Sequence, residues 1–178
     1  MNTVLLTWNP GPYDELIYTP DEWLDTMVVP YLNGETVDGQ WSVANRVNNI
    51  EPGDAAFMFR QGECGRGIVA RGVIQSYPWE GPHWDPEKAD QTTNYVDVEW
   101  LEGVPVDLAI DVEELELLIP DFPWRKVYSS GRVMPEREGD RLSTAWSKYV
   151  HTDYVRAYDK LYVSDVWRNV IEVERQAL

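Results

Sequence analysis

Two short apolar runs joined by a glycine loop constrain the fold of this chain more than any other feature. Ala55-Ala56-Phe57-Met58-Phe59-Arg60 is followed by Gln61-Gly62-Glu63-Cys64-Gly65-Arg66, and then by Gly67-Ile68-Val69-Ala70-Arg71-Gly72-Val73-Ile74. Two β-rich runs at this separation, with glycine between them, are a hairpin signal. Tyr95-Val96-Asp97-Val98-Glu99-Trp100 alternates with period two, the mark of a half-buried strand. Val4 to Trp8 reads as a further strand closed by Asn9-Pro10-Gly11-Pro12. Val104 to Leu108 reads as another, and Trp41-Ser42-Val43 is short and extended.

Helix signals flank this β-rich centre. Thr19-Pro20-Asp21-Glu22 combines a threonine cap, proline at the first position and glutamate three residues after the cap. The helix it opens carries Trp23, Leu24, Met27 and Val28 and is expected to stop before Pro30. Ala44 to Ile50 is assigned one helical turn, ahead of the turn Glu51-Pro52-Gly53-Asp54. Asp111 to Leu118 is a short helix ended by Pro120, Glu138 to Tyr149 a longer one, and Asp153 to Ala177 an amphipathic one. Short strands in the middle and helices at both ends predict an α+β fold built on a small, strongly curved sheet or barrel. At 178 residues, one domain with a helical appendage is expected.

Charge excludes some functions. The chain has 31 acidic and 15 basic residues, a formal net charge of −16, which argues against coating nucleic acid by bulk attraction. The distribution is uneven: ten acids and no lysine or arginine lie between Asp90 and Asp121. Arg60, Arg66 and Arg71 form one basic group, and Arg125, Lys126, Arg132, Arg137 and Arg141 another. Screening confines each patch to about 8–10 Å at physiological salt, so an acidic protein can still present one positive face. No apolar run approaches the roughly 18–20 residues of a membrane span. Met1-Asn2-Thr3-Val4 has no basic n-region, so a cytoplasmic protein is expected.

Catalytic signatures are missing. One cysteine and two histidines leave little for a zinc site, and neither a metal nor another cofactor is expected. No phosphate-binding Gly-rich loop of the Walker type, no Gly-x-Ser-x-Gly elbow and no Glu-x-Lys nuclease pattern occurs. Cys64 has no histidine nearby in sequence, and Glu113-Glu114 reads as a solvated helix face. These readings favour a binding module without catalytic residues.

The aromatic residues carry the positive signal. There are 9 Trp and 10 Tyr against 3 Phe, and several Trp sit at strand ends beside small polar residues: Trp8 before Asn9, Trp41 before Ser42, and Trp79 and Trp84 around Glu80-Gly81-Pro82-His83. An indole stacks on a flat heterocycle for about 1–3 kcal/mol per base, and neighbouring polar groups read its edge. A methylated base adds an apolar group that suits an aromatic wall.

The residues also resemble a known family. Leu6-Thr7-Trp8-Asn9-Pro10, Trp41-Ser42-Val43-Ala44-Asn45-Arg46 with Ile50 and Gly53-Asp54, the hairpin Phe57–Gly72, Tyr95-Val96-Asp97-Val98, and Ser129-Ser130-Gly131-Arg132 with Leu142 and Trp146 occur in order. Together they resemble the EVE branch of the PUA-like superfamily. In particular they are similar to the EVE-like modules at the front of McrB-type and other modification-dependent restriction proteins, which are related to YTH domains. The resemblance implies a curved PUA-like β-barrel over residues 1–150, flanked by helices, with 151–178 as a C-terminal helix. It implies a base pocket in which Trp41 is the main wall, Ser42 contacts the base edge and Asn45 adds a polar contact. Either Trp84 or Trp79 is the second wall, and Trp8 and Asn9 line the rim. Arg60, Arg66, Arg71 and Arg132 would hold phosphates. The implied partner is DNA carrying a methylated or hydroxymethylated base such as 5-methylcytosine or N6-methyladenine, flipped from the duplex. RNA stays open, and a nuclease or AAA+ motor subunit would act beside it. The alternative reading is an acidic adaptor or DNA mimic that uses a PUA-like core without a base pocket.

Overall fold

The computed structural model describes residues 1–9, 19–62 and 65–153. The predicted helix Asp153–Ala177, Cys64 and the Pro10-Gly11-Pro12 turn lie outside the described residues, apart from Asp153. The chain divides into two compact units, Met1–Arg141 and Leu142–Leu178. Among the described residues the first holds eight strands: β1 (Thr3–Trp8), β2 (Val37–Ala44), β3 (Ala55–Arg60), β4 (Gly67–Ile74), β5 (Trp79–Pro82), β6 (Thr92–Gly103), β7 (Ile110–Asp111) and β8 (Arg132–Met134).

The strands form one mixed sheet in the order β2-β6-β4-β3-β1-β8, with β5 paired to β6 and β7 to β4. The expected hairpin is β3–β4, antiparallel from Ala55↔Val73 to Arg60↔Gly67. All six residues of β3 are buried, which accounts for its unbroken apolar run. β1 lies parallel to β3, from Thr3↔Ala55 to Trp8↔Arg60, and its other edge takes β8 antiparallel at Thr3↔Met134 to Leu5↔Arg132.

Irregularities curl this sheet. The ladder shifts register in β3–β4, in β4–β6 at Arg71/Gly72 and in β2–β6 at Ser42/Ala44, and such bulges sharpen local twist. Gly72 is required for close approach: a Cβ there would lie 2.5 Å from the Glu99 carbonyl oxygen and 3.0 Å from the Trp100 ring. The fold is α+β with a curled, barrel-like mixed sheet, as the sequence predicts.

Four helices accompany the sheet among the described residues. α1 (Pro20–Trp23) starts with the expected capping box: Thr19 Oγ1 accepts from Glu22 N at 3.2 Å, and Thr19 N donates to Glu22 Oε2 at 2.7 Å. The predicted stop before Pro30 is not observed. A π-helical stretch, Leu24–Val28, leads into α2 (Val29–Leu32), which contains the proline. Val29 N bonds Leu24 O, five residues back, and this wider turn accommodates a residue that has no N–H and whose ring crowds the preceding turn. α3 (Val112–Leu118) is capped by Asp111, whose Oδ1 accepts from Glu114 N at 2.8 Å. α4 (Glu136–Lys148) crosses the boundary between the two units.

Two other expectations fail. Ala44–Ile50 forms no helical turn; Ala44 and Asn49 take left-handed backbone, with φ of 52° and 59°. Val104–Leu108 is no strand, because Pro105 opens a 3-10 turn over Val106–Leu108.

Candidate base-binding cavity

The sheet order leaves one edge of β1 only partly covered. β8 is three residues long and pairs with β1 only as far as Leu5. Beyond it, the backbone of Thr7 finds side chains in place of a strand: Thr7 N donates to Ser130 Oγ at 3.2 Å, and Thr7 O accepts from the Trp41 indole Nε1 at 3.0 Å. The indole of β2 thus stitches across to β1 where no ladder joins them. A cavity of about 530 Å³ opens at this seam, within the roughly 300–1,000 Å³ of small-ligand sites.

Six segments line it. β1 and the residue after it give Thr7, Trp8 and Asn9; β2 gives Gln40, Trp41, Ser42 and Ala44; β6 gives Thr93 and Tyr95. The β5–β6 connection gives His83, Trp84 and Lys88, and the remainder is Gln61, Ser129 and Ser130. No aspartate or glutamate is among these residues. The cation among them, Lys88, is bridged to Asp85 at 3.3 Å.

Each wall is held from behind. Trp41 is half-buried and meets Trp100 edge-on, with centroids 6.3 Å apart and planes at 88°. Trp8 is 2 % exposed and stacks on Trp23 at 4.6 Å, while the Trp23 indole donates to Val104 O at 3.0 Å. Trp84 is 41 % exposed, with its ring tilted against His83 at 5.3 Å. Its loop is tied down where Asp85 N donates to His83 Nδ1 at 3.0 Å and His83 N donates to Gln91 O at 3.0 Å.

The polar groups are also fixed. Ser42 Oγ accepts from Ala44 N at 3.2 Å and lies 3.2 Å from Thr93 Oγ1. Whichever hydroxyl donates across that contact, the pair keeps one O–H to offer a ligand. The left-handed Ala44 beside them costs about 1–2 kcal/mol for a non-glycine residue. It is secured by Asn94 Nδ2, which donates to Ala44 O at 2.7 Å. Gln61 Nε2 donates to Val127 O at 2.8 Å.

The structure therefore brings together Trp41, Ser42, Trp84, Trp8 and Asn9, and sets apart Asn45 and Trp79. Asn45 is exposed beyond the bulge that ends β2 and is not among the lining residues. Trp79 packs on Tyr95, with centroids 5.2 Å apart, and its indole donates to Asp97 Oδ1 at 3.3 Å, so of the two candidate second walls it is Trp84 that reaches the cavity. Sequence reasoning missed Gln40, Gln61, Thr93 and Tyr95. Tyr95 opens the period-two run that predicts β6, and Thr93 lies two residues before it, in the same phase on the observed strand.

The four arginines expected on phosphates differ in their surroundings, and none of them lines the cavity. Arg60 is 5 % exposed, at the end of a fully buried strand. Arg71 faces Glu102 at 3.7 Å. Arg66 donates to Val127 O at 2.6 Å and lies over the Phe59 and Tyr128 rings, 5.5 and 5.3 Å from their centroids. Arg132 donates to Lys126 O at 3.2 Å and lies over Phe122 at 4.8 Å. Burial, and then the charge of Arg46, hold the Arg132 guanidinium below its usual range. Burial removes Arg60 from the expected set, and Glu102 offsets Arg71.

Solved structures with this architecture are known. No family model and no curated protein matches the chain. Human THYN1 in complex with 5-methylcytosine-containing DNA superposes with a TM-score of 0.52 at 16% identity, over 82% of this chain and 97% of that one. The chain has the PUA-like fold of THYN1 and the YTH domains. The same PUA-like fold is found in the Mmi1 YTH domain in complex with RNA, with a TM-score of 0.51 at 11% identity over 86% of this chain and 82% of that one. A hypothetical protein from Leishmania major shares it with a TM-score of 0.54 at 12% identity, over 82% and 94% of the two chains. Among the described residues no helix is long and apolar enough to cross a membrane, and no group of three or more potential metal ligands occurs.

Proposed function

We propose that this protein is a non-catalytic reader of a modified nucleobase, which it takes, flipped from DNA, into the cavity between β1 and β2. One observation carries the reading: Trp8, Trp41, Trp84 and Tyr95 line a cavity together with hydroxyl and amide side chains, with no aspartate or glutamate among the lining residues and with Lys88 bridged to Asp85. That combination suits a flat, uncharged, alkylated heterocycle, which gains from stacking on its faces and hydrogen bonding at its edge. THYN1 with methylcytosine DNA and the Mmi1 YTH domain with RNA support the reading, because the same fold serves nucleic acids there. Flipping a base costs a few kcal/mol, and two indole walls offset that cost. In this reading the chain is the specificity module of a restriction or defence system, and cleavage or translocation belongs to a nuclease or AAA+ motor partner.

The test is a titration panel of duplexes and single strands identical except for one base: cytosine, 5-methylcytosine, 5-hydroxymethylcytosine, adenine or N6-methyladenine. The expected result is tighter binding of one modified form, with the preference lost in Trp41→Ala. Equal binding of every form by the wild type overturns the proposal.

The net charge of −16 favours a second reading, an acidic adaptor or DNA mimic. It expects no nucleic-acid binding even at low salt, and co-purification with a basic partner.

A further inference from the structure

A reader of a methylated base meets one competitor that shape cannot reject. Thymine has the ring of cytosine and the same C5 methyl as 5-methylcytosine, so aromatic walls and an apolar contact treat the two alike. They differ at C4, where cytosine carries an amino donor and thymine a carbonyl acceptor. Only a polar group of fixed sense separates them. The Ser42–Thr93 hydroxyl pair has both a proton to give and lone pairs to receive with. Gln40 is exposed, and among the described residues no hydrogen bond holds its amide either way round.

Gln61 is different. Its Nε2 donates to Val127 O at 2.8 Å. A carbonyl oxygen only accepts, so the end of the amide that faces Val127 is the NH2 group, and chemistry settles which way round the amide lies. Turning it over would lose that bond and set its oxygen against the Val127 oxygen. The anchor is itself fixed: Val127 is fully buried, is not among the lining residues, and its oxygen also accepts from Arg66 Nη2 at 2.6 Å. Gln61 N donates to Trp8 O at 2.7 Å, which ties the backbone to the end of β1. Oε1 is then the amide atom that remains. Among the described residues it accepts no hydrogen bond, and it keeps accessible surface on a residue that lines the cavity.

We infer that Gln61 is a specificity-determining residue of the cavity: its Oε1 accepts the exocyclic N–H of the bound base. The site therefore takes derivatives of cytosine or adenine, which carry an amine, and rejects those of thymine and uracil. This inference rests on the base-reader function proposed above. An amine opposite Oε1 completes its hydrogen bonding. A carbonyl there leaves two acceptors face to face with no proton between them, and the anchored amide cannot turn to relieve it.

The experiment uses single-stranded oligonucleotides, in which no base pair has to be broken, identical except at one position. Each modified base is set against a partner of similar shape that lacks the N–H: 5-methylcytosine against thymine, 5-hydroxymethylcytosine against 5-hydroxymethyluracil, N6-methyladenine against 6-methoxypurine. In fluorescence polarisation the N–H-bearing member of the best-bound pair is expected to bind about tenfold or more tighter, the scale of one unmade hydrogen bond at a partly buried acceptor. Gln61→Met, similar in length but without an amide, should bring the pair to within about twofold. Gln61→Ala repeats the comparison if the urea midpoint shows that the longer variant does not fold. Equal or reversed binding within every pair by the wild type, or a preference that survives both substitutions, overturns the assignment of Gln61 and leaves the base pocket standing. If no modified oligonucleotide binds, the base-reader function falls and this inference falls with it.

Discussion

Replacing Trp41 separates the two roles its indole plays. The ring lines the cavity, while its N–H donates to Thr7 O at 3.0 Å and its edge meets Trp100 at 6.3 Å. Trp41→Phe keeps an aromatic face and removes the donor. The Thr7 carbonyl then faces the seam without its partner, and the variant should lose about 1 kcal/mol of stability, the lower end for a part-buried acceptor that water can reach. Base affinity in Trp41→Phe should stay within a few-fold of wild type. Trp41→Ala removes the stacking face too, worth about 1–3 kcal/mol per base, and should weaken binding of the preferred modified oligonucleotide by about 5- to 150-fold. It also loses the edge-on contact with Trp100, about 0.5–1.5 kcal/mol more. Urea unfolding gives the stability change, and fluorescence polarisation with the modified oligonucleotide gives the affinity. If Trp41→Ala lowers stability but binds like wild type, the indole is only a staple across the seam.

Three further expectations follow from the geometry. Trp84→Ala should weaken modified-base binding several-fold while Trp79→Ala, outside the cavity, leaves it within twofold, read by the same polarisation assay; the reverse pattern would move the second wall to Trp79. Gly72→Ala places a methyl 2.5 Å from the Glu99 carbonyl oxygen and should destabilise by about 1–3 kcal/mol, as overpacking does; a wild-type urea midpoint would show that the bulge yields freely. The slope of log affinity against log salt should be shallow, about −1 to −2, because the lysine of the cavity lining is bridged to Asp85 and few counterions are released; a slope of about −5 or steeper would show that an extended positive face does the binding.

What the sequence made legible was local. The β3–β4 hairpin, the Thr19 capping box and the short helix that ends before Pro120 each depend on residues a few positions apart, where periodicity and side-chain chemistry act directly. The pocket was legible in part, because a tryptophan at a strand end beside a small polar residue is a local pattern, and Trp41-Ser42 and Trp8-Asn9 do line the cavity. The register that sorts Trp84 from Trp79 was not. It depends on β5 pairing Trp79 opposite Tyr95, and that pairing is set by the sheet. The arginines misled for a related reason. Closeness in sequence says nothing of which face a side chain takes, and Arg60 closes a strand whose other five residues are all apolar, a signal of burial that its charge masked.

The distribution of charge in the fold bears on how an acidic chain could read DNA. Five carboxylates of β6 and α3 are engaged with the protein's own donors: Asp97 with the Trp79 indole, Glu99 with Gln75, Glu102 with Arg71, Glu113 and Glu116 with Arg125. None lines the cavity, and its lysine is already bridged. A base in that slot therefore meets a locally neutral surface, while charges more than about 8–10 Å away are screened at physiological salt. Net charge then governs where the protein does not bind: unmodified backbone gains little from a surface of −16, so non-specific affinity stays low. Discrimination is a difference of affinities, and a reader that suppresses the backbone contribution enlarges the share of binding carried by the one base it recognises. For the proposed base reader, the acidic surface sharpens selectivity at a cost in affinity, and adding lysines around the opening should tighten binding to modified and unmodified DNA alike.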